Sequence, residues 1–411
     1  MGGGGVQRTV KFIKYLPDFG WEAVVIAADD KTYWARDETL LDDIPEATII
    51  KRSRPLSPRF FHSVLEKLTS KEFSKRVMEN IFIPDSRIIW ALSAFFYGLW
   101  AIRKYDVKLI YSTSPPHSVH LAALLLKKIT GLQWVSDFRD PWTKDFLLNP
   151  RNSLVEWLHE QMEKKVFKNA DRVISVTDQI REEYGGLDWI DTDHLVTIYN
   201  GYDSDDFIDT VATEGKSNKF IITYTGSIYA GVYPKNFYLA LALFLKDNPS
   251  FKDRVVIKFL GVMDSNIEFE IKGLLKDNAI FLGYISHEEA IKAMVESDCN
   301  LVTFPMDKRF SYAAGGKIFE YLAAGRPILA VVPPGVAANI VKSTRTGVVI
   351  HESDPEELSN KLKGAISEIE RMKREGTFLP DVEVIKQFER RKQTQKLAGI
   401  FNELIDGGRG A

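Results

Sequence analysis

Six consecutive residues, Gly315-Gly316-Lys317-Ile318-Phe319-Glu320, combine the groups needed to hold a phosphorylated ligand. Two glycines open a run with helical character, and the free N–H groups at a helix start attract anions. Lys317 adds a full positive charge. Glu320 follows about one helical turn later, where a carboxylate can accept hydrogen bonds from adjacent ribose hydroxyls, as acidic residues do in dinucleotide folds. A surface helix start with an ordinary Lys and Glu fits the same spacing.

A second concentration of charge lies in Ser136-Asp137-Phe138-Arg139-Asp140-Pro141-Trp142. Asp137, Arg139 and Asp140 place two carboxylates and a guanidinium at the end of an apolar run. That set suits the binding and orientation of a hydroxyl acceptor. The other reading is a salt-bridged loop, with Pro141 ending a strand and Trp142 packing. His117 follows the run STSPP in a loop, where it can touch an acceptor or a phosphate, while His120 reads as helical and structural. Asp203 to Asp206 contains an Asp-x-Asp pattern, but it falls in a polar stretch and reads as a solvated loop. No metal site is expected.

The elements that must position these residues alternate almost throughout. The 411 residues are 45% hydrophobic and 27% charged, with net charge −2. That length suits two domains of about 200 residues each, and the charge gives no basic field for nucleic acid. The single cysteine, Cys299, excludes a disulfide within the chain. Short β-branched runs such as EAVVIAA (22–28, read as a buried strand) interleave with helical patterns. This alternation predicts parallel sheets covered by helices on both faces. The expected layout is an N-terminal domain over 1–202 with an insertion at about 29–105, a linker over 203–219, and a C-terminal domain over 220–380. A long amphipathic helix from about 381 to 404 is expected to pack back on the N-terminal domain. Ligands in such folds sit at the carboxyl ends of the strands.

The longest apolar run, Ile88 to Ile102, has 15 residues, short of the roughly 20 of a membrane-spanning helix. It reads as a helix of the core. Upstream, Lys51 to Arg76 carries eight Lys/Arg against two Glu, with apolar residues interleaved. That composition suits either contact with an anionic membrane surface or a solvated helix face. With no apolar leader evident, the expected location is cytoplasmic, with peripheral contact at the membrane through 51–76.

Several motifs together resemble the retaining glycosyltransferases of GT-B fold, family 4, in particular a subgroup making cell-surface polysaccharides. KIFEYLAAGRPILA is similar to the family's nucleotide-sugar signature, YTGSIYAG to its phosphate-binding turn, and FLGYISHEEA to its loop against the nucleobase. STSPPHSVHLAALLLKK, WVSDFRDPW and the opening GGGGVQRTVKFIKYLPDFGW resemble the subgroup's N-terminal half. The resemblance implies two doubly wound, Rossmann-like domains facing a central cleft, and a hexosyl-type transferase. Its donor would be a nucleoside-diphosphate sugar, its acceptor a saccharide or lipid-linked saccharide, with no bound cofactor or metal.

The implied donor site comprises Gly226, Ser227, Lys235, Tyr284, Ile285, Gly315, Gly316, Lys317, Ile318 and Glu320. Asp137, Arg139, Asp140 and His117 fall on the catalytic, acceptor side, together with a glycine loop at Gly3, Gly4 and Gly5. Two positions depart from the pattern. Tyr312 stands where a glutamate often precedes Glu320 by eight residues, and Ser227 stands where many members carry Arg. Lys235, Lys317 or Arg309 would then neutralise the diphosphate. A nucleotide-sugar 2-epimerase and a non-catalytic nucleotide-sugar-binding subunit are the rival readings.

The opening MGGGGVQRTV acquires a meaning from this frame. A glycine turn followed by a helix normally comes after the first strand of a doubly wound domain. The helix is present here without that strand. The expectation is a loop that has lost its strand, through a start assigned too late or a shortened chain.

Overall fold

The computed structural model describes residues 4–29, 39–53, 82–143, 153–208 and 219–407. The chain forms two compact units, one of residues up to Tyr199 together with those from Thr394, the other of Asn200–Gln393.

In the first unit, helix Gly4–Tyr15 leads through a turn closed by Gly20 into β1 (Val24–Ala28), which pairs in parallel with β2 (Ile49–Ser53). A separate parallel sheet runs β3 (Leu109–Ser114), β4 (Gln133–Phe138), β5 (Arg172–Ser175) and β6 (Leu195–Thr197), in that order. Helices Ile88–Tyr105 and Ser118–Thr130 pack together, with Trp90, Ala91 and Ala94 against Ala122. The other face is closed by Phe12 and Leu16 with Leu397, Ile400 and Phe401 of helix Arg390–Gly407, over Val135, Ile174 and Ile198.

Three expectations need correction here. Within 29–105, β2 and helix Ile88–Tyr105 belong to the layered core rather than to an insertion. The pattern was hard to read because β2, IIKRS, is an edge strand with only two strongly apolar residues. The basic segment 51–76 lies, beyond Ser53, outside the described residues. The strand VVIAA forms, but all five residues stay half-buried. Finally, the tail is not one helix. Val382–Lys386 ends before Arg390–Gly407 begins. There Tyr202 inserts its backbone, its N–H donating to Phe388 O (3.2 Å) and its carbonyl accepting from Arg390 N (2.7 Å). Gly201 permits that approach, since a Cβ would overlap the Phe388 carbonyl.

The run Ile88 to Ile102 does form a helix, and no described helix is long and apolar enough to cross a membrane.

The second unit is a six-stranded parallel sheet: β7 (Phe220–Thr225), β8 (Val255–Leu260), β9 (Ala279–Gly283), β10 (Cys299–Thr303), β11 (Ile328–Val331) and β12 (Gly347–Ile350). Their order is β12-β11-β10-β7-β8-β9. Strand order therefore reverses between β7 and β10, which opens a crevice at their carboxyl ends. Helix Lys235–Asp247 buries Phe237, Tyr238, Leu241 and Phe244 against β7 and β8, and Leu358, Leu362 and Ile366 of helix Pro355–Glu375 complete that side.

The first residues of the expected linker are folded. Asp203 is buried and caps its own turn, accepting from Asp205 N (3.2 Å), and Asp206 lies 3.1 Å from His287 Nε2. Asp203–Asp206 is therefore a capped turn, anchored through Asp203 and Asp206, with Ser204 and Asp205 left exposed. Residues 209–218 lie outside the described part.

Candidate functional site

At the switch point of the second unit, β7 ends in Tyr224-Thr225-Gly226-Ser227. Gly226 adopts φ +111°, and Gly261, at the end of β8, adopts φ +142°. Side chains rarely enter that region. A Cβ on Gly261 would overlap the Gly226 carbonyl, so the two strand ends approach closer than any other residue would allow. The turn is fixed from behind. The Tyr321 hydroxyl accepts from Thr225 N (2.8 Å) and lies 3.0 Å from Thr225 Oγ1. Tyr321 belongs to helix Lys317–Ala323, so this contact also brings the helix start to the turn.

Lys317, the first residue of that helix, sets its ammonium 3.5 Å from the centre of the Tyr224 ring. Burial pushes it down to about 7. Among the described residues, neither a salt bridge nor a side-chain hydrogen bond of Lys317 is present to offset that burial. A cation so placed gains most from an arriving anion. Gly315 and Gly316 precede it on the surface, Ile318 is buried in the core behind it, and Glu320 sits three residues further along, half-buried. Tyr284 is exposed and Ile285 half-buried just beyond β9, ahead of a helix fixed by the Ser286–Glu289 capping box.

Not every expected donor residue joins this group. Lys235 pairs with Glu270 at 2.9 Å and is largely exposed. Arg309 pairs with Asp307 at 2.7 Å. Each has a carboxylate of its own, and Lys317 alone of the three expected cations faces the glycine turn. Tyr312 is buried, so the position where a glutamate was sought carries a packed ring.

In the first unit, Asp137 at the end of β4 is fully buried. Arg8 holds it in a two-pronged pair, Nε to Oδ2 and Nη2 to Oδ1, both 2.9 Å. Tyr111 donates at 2.6 Å and Thr113 at 3.1 Å. Burial alone would raise the Asp137 carboxyl, but the Arg8 charge and these bonds hold it below the usual range. Arg8 also donates to the carbonyls of Ile198 and Tyr199. This network ties helix Gly4–Tyr15 to the carboxyl ends of β3, β4 and β6. It leaves Asp137 no surface for a ligand, which corrects the expectation that it binds an acceptor.

Arg139 donates to Ser114 O (2.8 Å), Pro115 O and Gly5 O. It thereby pins the start of the first helix to the end of β3, and Gly5 leaves room for its guanidinium. Gly4 opens the helix, and Gly3 lies outside the described residues. His117 is buried with its ring stacked on Trp142 at 4.8 Å. Trp142 is itself clamped, its backbone N–H donating to Tyr184 Oη (3.1 Å) and its indole N–H to His159 Nδ1 (2.9 Å). Asp140 remains exposed on this loop. His120 is structural. Burial pushes it down to about 3, and its Nδ1 lies 2.8 Å from Ser112 Oγ.

Sequence reasoning missed Arg8, Tyr111 and Tyr321. One signal was available: a carboxylate inside the apolar run WVSDF needs a buried cation.

Known proteins resemble both halves of the chain. Residues 3–201 match the family described as glycosyl transferase 4-like domain, and residues 207–376 match glycosyl transferases group 1. No curated protein shows significant sequence similarity to the chain. Among solved structures, a glycosyltransferase from Rickettsia africae is similar at 18% identity and TM-score 0.65, covering 98% of this chain and 96% of that one. Sucrose-phosphate synthase from Thermosynechococcus elongatus gives 15% and 0.68, covering 99% and 94%. Anabaena HepE, solved in complex with UDP-glucose, gives 14% and 0.62, covering 98% and 97%. The two family matches and the two parallel-sheet units define a glycosyltransferase of GT-B fold.

Proposed function

We propose that the protein moves a sugar from a nucleoside-diphosphate sugar to a hydroxyl acceptor with retention of anomeric configuration, in the synthesis of a cell-surface polysaccharide or glycolipid. The observation that carries this reading is the Lys317 ammonium held beside the Gly226 turn, with no salt bridge to a carboxylate among the described residues.

The diphosphate would lie across the Gly226–Ser227 and Gly315–Gly316 backbone, with Lys317 on its charge and Glu320 on the ribose hydroxyls. Tyr284 and Ile285 would flank the base. As the bond from the anomeric carbon to the diphosphate oxygen breaks, negative charge grows on the leaving group. Fixed N–H groups and Lys317 favour that charge in the transition state. The acceptor oxygen bonds to the same carbon, and its proton passes to a leaving phosphate oxygen. Asp140 and His117 are the acceptor-side candidates, while Asp137 and Arg139 act as positioning residues.

Titrating a panel of nucleoside diphosphates, with melting temperature as the readout, tests the donor site, because a ligand of the native state raises it. A rise that disappears in Lys317→Ala supports the reading, and a panel with no rise at all removes it. Analysis of product anomers from any accepted donor then decides retention. The buried Tyr312 favours one second reading, a subunit that binds a nucleotide sugar without transferring it. Donor binding with no transfer to any acceptor in a membrane extract would select that reading.

A further inference from the structure

In composition β1 is an interior strand, yet its position is an edge. Its residues, Val24-Val25-Ile26-Ala27-Ala28, are all apolar, and every one is half-buried. Val135 in β4 and Ile174 in β5 are fully buried. Among the described residues, the only neighbour of β1 is β2, and the only neighbour of β3 is β4. Each therefore turns a row of unpaired backbone N–H and C=O groups away from its partner.

These two open edges face one cavity. Its volume is about 1590 Å³, and it is lined by β1 on one side and by Leu109, Tyr111 and Thr113 of β3 on the other. Helix residues Phe12 and Leu16, with Leu397 and Phe401, close one face. Trp90 and Val119 close the opposite face. Small-molecule pockets run to about 300–1,000 Å³, so this space exceeds them. Its walls already contain both sheet edges and both helix layers of a doubly wound sheet. Inserting one strand would turn β2-β1 and β3-β4-β5-β6 into a single sheet, with the strand order reversing on either side of the insert.

We propose that this slot receives an extended apolar peptide of five to six residues, parallel to β1 and β3. The length follows from the flanking strands, five residues in β1 and six in β3. The direction follows from the sheet, in which every described pair is parallel. The carboxyl end of the peptide meets Gly4–Gly5, because Arg139 ties the Gly5 carbonyl beside Ser114 at the end of β3. The carboxyl end of the occupant therefore lies beside the start of the first helix.

Amide hydrogen exchange on the protein tests this. A capped six-residue Val/Ile peptide with a lysine solubility tag is added in trans, and in a second format the same six residues are fused ahead of the glycines. Without peptide, β1 and β3 amides should exchange faster than those of β4 and β5. With it, alternate amides on both edges should slow by at least about tenfold, and the melting temperature should rise by about 5–10 °C near saturation. A peptide N-methylated at alternate residues should do neither, since it keeps the apolar surface but loses the backbone donors. Unchanged exchange in both formats overturns the proposal. So does equal protection by the N-methylated peptide, which would make the space a general apolar cavity. Slow exchange at β1 and β3 in the chain alone would also overturn it.

Discussion

The two units each gather charge at the carboxyl ends of their strands, and they use it in opposite ways. In the first, Asp137 and Arg8 are both buried, two-pronged and further bonded to Tyr111, Thr113 and two carbonyls. In the second, Lys317 is half-buried over a ring, beside a turn whose floor is bare backbone. A satisfied buried pair holds a fold together, because nothing remains to offer a ligand. A cation whose burial is not offset by an ion pair is costly at rest and is repaid when an anion arrives. Charge at a strand end is thus ambiguous until its partners are known.

The sharpest way to break that contrast is Asp137→Ala, which leaves Arg8 charged, buried and unpaired. It should cost about 3–5 kcal/mol of stability in urea denaturation. The double change Arg8→Met with Asp137→Leu should recover much of that, and a loss below about 1 kcal/mol would show that the pair is not structural.

Lys317→Ala should raise the urea midpoint near neutral pH, because it removes a buried cation with no ion pair, yet weaken nucleoside-diphosphate affinity about 10- to 100-fold by calorimetry, as expected for a hydrogen bond to a charged group. Equal losses of stability and affinity would place Lys317 with the structural residues.

Glu320→Ala should weaken binding about 5- to 10-fold. That loss should vanish when the ligand lacks the ribose 2′ hydroxyl. A loss that persists would remove the ribose role.

The unliganded protein should also show the Lys317 shift directly. Its folded value is near 7 and its ordinary value 10.5. Between them the unfolded chain binds the extra proton, so stability should rise with pH across that window. The rise should be smaller in Lys317→Met, and identical pH profiles would exclude the shift. The smallest effect belongs to Lys235→Ala. Already paired with Glu270 and exposed, it should change donor affinity by less than about twofold.

Much of this was legible in the sequence wherever the signal was local. Parallel strands in both halves announced themselves as short β-branched runs, and GGKIFE placed a lysine at a helix start. What escaped depended on distance along the chain. Arg8 and Asp137 are 129 residues apart, and Thr225 and Tyr321 are 96 apart. No periodicity encodes such pairs. The split in the tail escaped for the same reason, since it is caused by Tyr202 crossing between residues 388 and 390. Asp137 looked available because its cation lay in a helix near the other end of the domain.

The glycine pair at Gly226 and Gly261 has a practical consequence for anyone mapping this protein by mutation. The surface on which a diphosphate would rest is made of main chain. Replacing side chains with alanine removes nothing from it, so a conventional scan would record the region as inert and credit the neighbouring lysine alone. The informative substitution runs the other way. Adding a single methyl at residue 261 forces the two strand ends apart, and so interrogates a contact that no deletion can reach.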